Sequence, residues 1–357
     1  MGGTLTFGVV DQSPLREGGT AADALRESVK LAQAAEAAGY ARYWVAEHHN
    51  ASSWAGTSPE LLIGQIAAGT ATIRVGSGGV MLSHYSALKV AEQFRVLDAF
   101  YPGRIDLGIG RAPGSDQVTA AALAHPRLRA SIDTYAPQVV DLLGFLEGRF
   151  EGDHPFAGIR AFAGPVPDTV PEVWLLGSSD YSARLAGVLG LPFAFADFFG
   201  NVPHGPMVAD LYRREFKPSP FLDEPRVSVA VQVICAPMEE EAVFLGASRN
   251  INKVGVLTGQ APRQGLMPPD VAEAYPLSDD QRRQLESLKG GYIDGDPTQV
   301  RDRLLELAGQ YGADEVGIVS NCYAFEDRVR SYELTAQALG IVPPSRLAGQ
   351  STETDLQ

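Results

Sequence analysis

Trp44-Val45-Ala46-Glu47-His48-His49 is a short apolar run that stops at a carboxylate and two imidazoles. The apolar part reads as a β-strand and the polar part as its C-terminal end. In a β/α barrel, polar residues in that position lie on the catalytic face. Histidine is also the side chain whose ordinary pKa lies nearest neutral pH. Strand side chains alternate in direction, so His48 and His49 should not face the same way. This weakens a metal reading, because a site needs three or four converging ligands and no HxH or HxxxH pair lies nearby. One packed histidine and one at the rim fits the position as well as a catalytic pair does.

The sequence around this strand alternates between strand and helix patterns from end to end. Strands are expected at 5–10, 43–46, 73–82, 104–110, 172–176, 192–198, 227–235 and 315–320. Helical spacing follows each one, at 21–38, 59–68, 87–100, within 131–146, and at 181–189, 208–216, 239–248 and 326–339, with a further helix at 297–311 before the last strand. Gly39 reads as a C-terminal stop, and Ser58-Pro59 and Asp296-Pro297 as helix starts. Strict alternation implies a parallel sheet. Eight units imply a closed TIM (β/α)8 barrel rather than a doubly wound sheet of five or six strands. Residues 1–342 are expected to form one domain. Insertions break the rhythm after strands 4 and 7, at about 112–129, 148–171 and 252–291, and loops this long are usually lids or binding loops. The polar tail 343–357 is expected to be disordered.

Composition excludes several classes of partner. The 357 residues carry a net charge of −14, which repels nucleic acid and anionic membranes. No apolar run is long enough to span a membrane, and Met1-Gly2-Gly3-Thr4 lacks the pattern of a signal peptide. The two cysteines, Cys235 and Cys322, lie in apolar runs and suggest a reducing compartment. A cytoplasmic protein is expected.

Three further stretches could carry chemistry. Gly76-Ser77-Gly78-Gly79 interrupts strand three, where glycine marks either close approach of a ligand or a bulge needed for barrel closure. Strand four ends Gly108-Ile109-Gly110-Arg111, setting a fixed cation with a donor fork at the top of the barrel. The alternative is an ordinary rim salt bridge. Strand five ends Gly177-Ser178-Ser179-Asp180-Tyr181-Ser182 and a helix begins at once. Free N–H groups and hydroxyls there make an anion site, unless they serve as a plain N-cap. Arg111 and this helix start lie on adjacent loops and together could clamp one phosphate.

Glu47-His48-His49, Gly76-Ser77-Gly78-Gly79, Gly103-Arg104-Ile105-Asp106-Leu107-Gly108-Ile109-Gly110-Arg111 and Leu176-Gly177-Ser178-Ser179 resemble, in order and spacing, the bacterial luciferase-like flavin monooxygenases. The resemblance runs from about residue 5 to 340 and includes Asp296-Pro297 and Gly312-Ala313-Asp314-Glu315-Val316. It looks closer to the single-chain, homo-oligomeric branch. It implies a TIM barrel that binds FMN at its C-terminal face, with Arg111 and Ser178 on the flavin phosphate. Tyr181 stands where luciferase has a threonine, and Ser182 could substitute. A non-proline cis peptide of the family would fall at Gly78–Gly79, against the flavin ring. Gly110 replaces a reactive cysteine. His48 matches the catalytic histidine and would assist proton transfer around a flavin C4a-peroxide. Glu47 would orient it or anchor the strand end.

By the same resemblance, reduced FMN comes from a separate flavin reductase, O2 is the co-substrate, no metal takes part, and the protein is a homodimer. The alternatives are a deazaflavin F420-dependent oxidoreductase of the same superfamily and a non-catalytic flavin-binding protein. Trp54, Phe195, Phe198 and Phe199 suggest a roomy apolar pocket for a small organic substrate, such as a polyketide-like metabolite. Asp197, at the end of strand six, is expected to line that pocket.

Overall fold

Every strand in the molecule runs parallel to its neighbours, and the sheet they form closes on itself. The computed structural model describes residues 4–112, 114–125, 132–150, 152–200, 204–259 and 265–343. The expected tail beyond 343 and parts of the three insertions lie outside these residues. The strands are β1 (Thr6–Asp11), β2 (Arg42–Val45), β3 (Arg74–Met81), β4 (Ile105–Gly110), β5 (Glu172–Gly177), β6 (Phe193–Ala196), β7 (Val227–Cys235), β8 (Ile293–Gly295) and β9 (Glu315–Val319). The helices are α1 (Ala21–Ala38), α2 (Pro59–Gly69), α3 (Ala87–Phe100), α4 (Gln117–Ala124), α5 (Ile132–Glu147), α6 (Asp180–Leu189), α7 (Gly205–Glu215), α8 (Glu239–Thr258), α9 (Pro269–Glu273), α10 (Asp279–Lys289), α11 (Pro297–Tyr311) and α12 (Phe325–Leu339).

Strands β1 to β7 pair in sequence, β7 pairs with β9, and β9 pairs with β1, closing an eight-stranded TIM barrel. Sequence reading missed β8. It has three residues and pairs with the end of β7, at Val233 to Cys235, outside the closed ring. The insertion after β7 also begins later than expected. Helix α8 continues through Thr258, so residues 252–258 are helix rather than loop, and α9 and α10 follow. The insertion after β4 holds α4, while 152–171 forms neither helix nor strand.

The large core lies between the barrel wall and its helices, on the outward-facing residues of each strand. Inside the barrel, glycines and alanines give way to two tryptophans. A Cβ at Gly108 would lie 2.2 Å from the Ser77 carbonyl oxygen, and one at Gly76 would lie 2.4 Å from that of Asp106. Trp44 and Trp174 fill the space, with ring centroids 5.3 Å apart and nearly perpendicular. Below them the buried Arg42 guanidinium lies between the two rings and pairs with Asp106, Glu172 and Glu315. The space left inside is about 20 Å³, room for roughly one water. The interior is thus a packed floor, and any ligand must sit above it, at the strand C-termini.

Candidate active site

Trp44 faces the barrel interior, and the alternation of β2, carried past its end at Val45, turns Ala46 and His48 toward the same side. The His48 N–H donates to the Gly56 carbonyl (2.8 Å), and its ring lies 5.8 Å from that of Trp54. Its Nδ1 is buried and has no hydrogen-bond partner among the described residues. Burial pushes its pKa down to about 4 against the pull of Glu47, so the imidazole is neutral at pH 7. A neutral ring with an open nitrogen at the barrel mouth can accept a proton there.

Glu47 and His49 share the opposite direction. Glu47 accepts from the Met81 N–H (2.9 Å) and the Tyr85 hydroxyl (2.7 Å), and its carboxylate lies 2.6 Å from His49 Nε2. The choice left open for Glu47 is therefore decided by geometry: it anchors the end of β2 to β3. It makes no hydrogen bond to His48. His49 is held by Glu47 and stands 3.4 Å from the Tyr85 hydroxyl.

The Gly78–Gly79 peptide is cis, and the β3–β4 register slips between Gly78 and Val80. A Cβ at Gly79 would lie 2.6 Å from the Gly108 carbonyl oxygen, and one at Gly78 would lie 3.0 Å from Trp44 Cβ. Close backbone approach thus explains both glycines, and it leaves a flat surface of main chain beside the mouth. Gly110 keeps open space above β4, with only the Met81 sulfur nearby, 3.8 Å from where its Cβ would be.

Arg111 and the start of α6 come together as expected. The Arg111 guanidinium lies 4.7 Å from the Tyr181 ring centroid. No carboxylate pairs with it among the described residues, so the rim salt bridge is not what is seen. Ser179 is the N-cap of α6, and its side chain makes no cap hydrogen bond. Ser179 therefore leaves the first N–H groups of α6 to another acceptor. Ser178 stands one residue before the cap. The Ser182 hydroxyl is buried beneath Gly177, 2.3 Å from the place of a Cβ there.

Tyr135 of α5 joins this group, and sequence reasoning missed it. Its hydroxyl is buried without a partner among the described residues, and its ring lies 6.4 Å from that of Tyr181. Arg111 stands close enough to act on its charge. Among the described residues, a cation without a carboxylate partner, a helix start that Ser179 does not cap and a buried hydroxyl without an acceptor lie around Tyr181, and such groups can donate to an anion.

The profile of the luciferase-like monooxygenases matches residues 5–315. The chain belongs to the luciferase-like monooxygenase family. It is similar to the protein YwcH of Bacillus subtilis (strain 168), 44% identical over 94% of this chain and 99% of that one. It is also similar to the N-acetyl-S-alkylcysteine monooxygenase of the same organism, 38% identical over 94% of this chain and 98% of that one. Among solved structures it resembles apo-MsnO8, with a TM-score of 0.86 and 40% identity over 95% of this chain and 100% of that one.

Two residues expected at the mouth of this luciferase-like barrel lie elsewhere. Asp197 points outward from β6 and accepts from the Tyr311 hydroxyl (3.0 Å) between the barrel and α11. Burial pushes its pKa up to about 6. Phe195 faces outward too, against Tyr311, 5.4 Å between ring centroids. Phe198 and Phe199 stay near the mouth, 4.6 Å apart, with Phe198 at the edge of the barrel interior.

Helix α8 touches loops on two sides of the barrel. Asn252 accepts from the Ser53 hydroxyl (2.6 Å) on the loop after β2, and the next residue, Lys253, sits 5.0 Å from the Phe199 ring on the loop after β6. β2 and β6 are on opposite sides of an eight-stranded ring. The chain after α8 is tied down as well: Leu266 pairs with Leu15 and Glu17 of the β1–α1 loop through two 2.8 Å backbone bonds.

Proposed function

We propose that this chain is an FMN-dependent monooxygenase that takes reduced FMN from a separate flavin reductase, consumes O2 and oxygenates a small organic substrate. The observation that carries this reading is the unpaired Arg111 beside the uncapped start of α6, on the face that also presents the neutral His48. The residues present fit FMN: the orphaned Tyr135 hydroxyl and the open N–H groups await an anion, and the Gly78–Gly79 main chain admits a flat ring. Reduced FMN, when bound, supplies the electrons that activate O2.

The chain's own residues account for the rest. Arg111, Ser178, Tyr181 and Ser182, with Tyr135, would hold the phosphate, and Gly78, Gly79 and Gly110 would give the ring room. His48 Nδ1 would take and return a proton at the reacting face. Helix α8 and the segment pinned to Leu15 would keep water from the mouth. The functional unit would be a homodimer, supported by the strongly exposed Leu61, Val96 and Phe100 on neighbouring α2 and α3.

A competitive titration tests the reading. FMN should bind in the micromolar range or tighter, and Arg111→Ala should weaken it by about 2 kcal/mol, roughly 30-fold. With a flavin reductase, NADH and O2, candidate substrates should be converted to oxygenated products. Preferential binding of deazaflavin F420, or flavin binding without oxygen uptake, would overturn the proposal.

A further inference from the structure

The side of the mouth opposite Arg111 carries polar groups that neither the phosphate site nor His48 uses. Gln232 is the inward-facing residue at the top of β7, level with Val319 of β9. Asn321 follows β9, and its Nδ2 donates to Gln12 Oε1 (2.7 Å) after β1. Gln232 Oε1 and Asn321 Oδ1 are both buried, and neither has a hydrogen-bond partner among the described residues. Two buried carbonyl oxygens without donors are costly unless something else supplies the donors.

Lys253 adds a cation to the same opening. It lies on the part of α8 that crosses from the β2 loop to the β6 loop. It is half-buried, its ammonium faces the Phe199 ring, and it has no carboxylate partner among the described residues. Burial alone lowers its pKa. A half-buried cation with no counter-ion among the described residues is a group open to an anion. Phe198, Phe199 and Trp54 line the space with aromatic faces.

We infer that this end of the mouth is a substrate subsite for an organic carboxylate that also bears an N–H or O–H donor. The carboxylate is held by Lys253, the donor is read by Gln232 and Asn321, and the apolar body lies against Phe198, Phe199 and Trp54. The inference rests on the monooxygenase reading and narrows its substrate class. The acid end would be held away from His48, so that the opposite end of the molecule meets the reacting face.

The test uses FMN-saturated protein, a panel of N-acylamino acids and arylcarboxylic acids, and the methyl ester of each. Hippurate and methyl hippurate are one such pair. Binding is measured by calorimetry, and coupling by the ratio of product to H2O2. At least one acid should bind tenfold or more tightly than its ester. Lys253→Met should erase that preference while leaving ester and FMN affinities unchanged, and Lys253→Arg should restore most of it. Gln232→Leu should weaken an amide N–H ligand several-fold and leave its N-methyl analogue unaffected. Equal binding of every acid and ester, no acid binding at millimolar concentration, or a Lys253→Met variant that loses FMN instead of the acid would each overturn the inference. Failure of wild-type protein to bind FMN would overturn the monooxygenase reading instead. The acid-to-ester ratio, measured again without flavin, would still decide the subsite.

Discussion

His48 is kept neutral by burial rather than by a partner, and that sets its pH behaviour. Its folded pKa of about 4 lies below the ordinary 6.5, so the unfolded chain takes up the proton first as pH falls. This group's contribution to stability is full above pH 6.5 and is lost as pH falls toward 4. The acid limb of turnover, followed in short assays, should therefore lie near pH 4 to 5, and a limb centred at 6.5 would contradict a neutral His48. Replacing His48 by Ala should cut coupled oxygenation by about 100-fold or more without changing FMN affinity. Strand alternation alone separated His48 from His49 in the sequence. Tyr135 was not legible in the same way. It sits one among many residues on an amphipathic helix, and only the fold shows its hydroxyl orphaned beside Arg111. Tyr135→Phe should weaken FMN by about 1 kcal/mol, roughly fivefold, and leave the fold intact. Unchanged affinity would remove Tyr135 from the phosphate site.

In the proposed function, helix α8 and the segment pinned to Leu15 would cover the mouth. Sequence reading ended this helix ten residues early, because Ser248 to Lys253 is polar at every position but Ile251. The structure buries most of that polar run, with Arg249 paired to Asp294 and Asn252 to Ser53. Polarity there marks two anchors, Asn252 on the loop after β2 and Arg249 on β8 outside the ring. The cover is fastened at Gly265, which has φ +93° and whose Cβ would lie 2.3 Å from the Leu15 carbonyl oxygen. Gly265→Val should push the segment off the β1–α1 loop. The expected outcome is normal FMN binding, a rise in the H2O2 fraction, and faster amide exchange at Glu17 and Leu266. Coupling equal to wild type would show that the segment does not guard the mouth.

At the scale of the whole molecule, the eight βα units announced the barrel, but its charged floor was hidden. Arg42, Asp106, Glu172 and Glu315 come from four strands far apart in sequence, and no spacing rule brings them together. Phe100, exposed on α3 beside Leu61 and Val96, tests the assembly: Phe100→Asp should turn a sedimenting dimer into a monomer, and an unchanged particle would place the interface elsewhere. The floor tests the fold. Burial raises the Glu172 pKa, but the Arg226 and Arg42 guanidiniums outweigh it and hold the carboxyl at about 2. Its folded value is below the ordinary 4.5, so its stabilisation is present above pH 4.5 and is lost as pH falls toward 2. Removing the central cation strips Glu315 of its ion pair and leaves Asp106 with Arg74 alone and Glu172 with Arg226 and Arg74 at the edge, beside two buried tryptophans. Arg42→Met should therefore cost about 4 kcal/mol, lower the Tm, and move acid unfolding to higher pH. Wild-type stability in that variant would mean that tryptophan packing, rather than charge pairing, holds the floor closed.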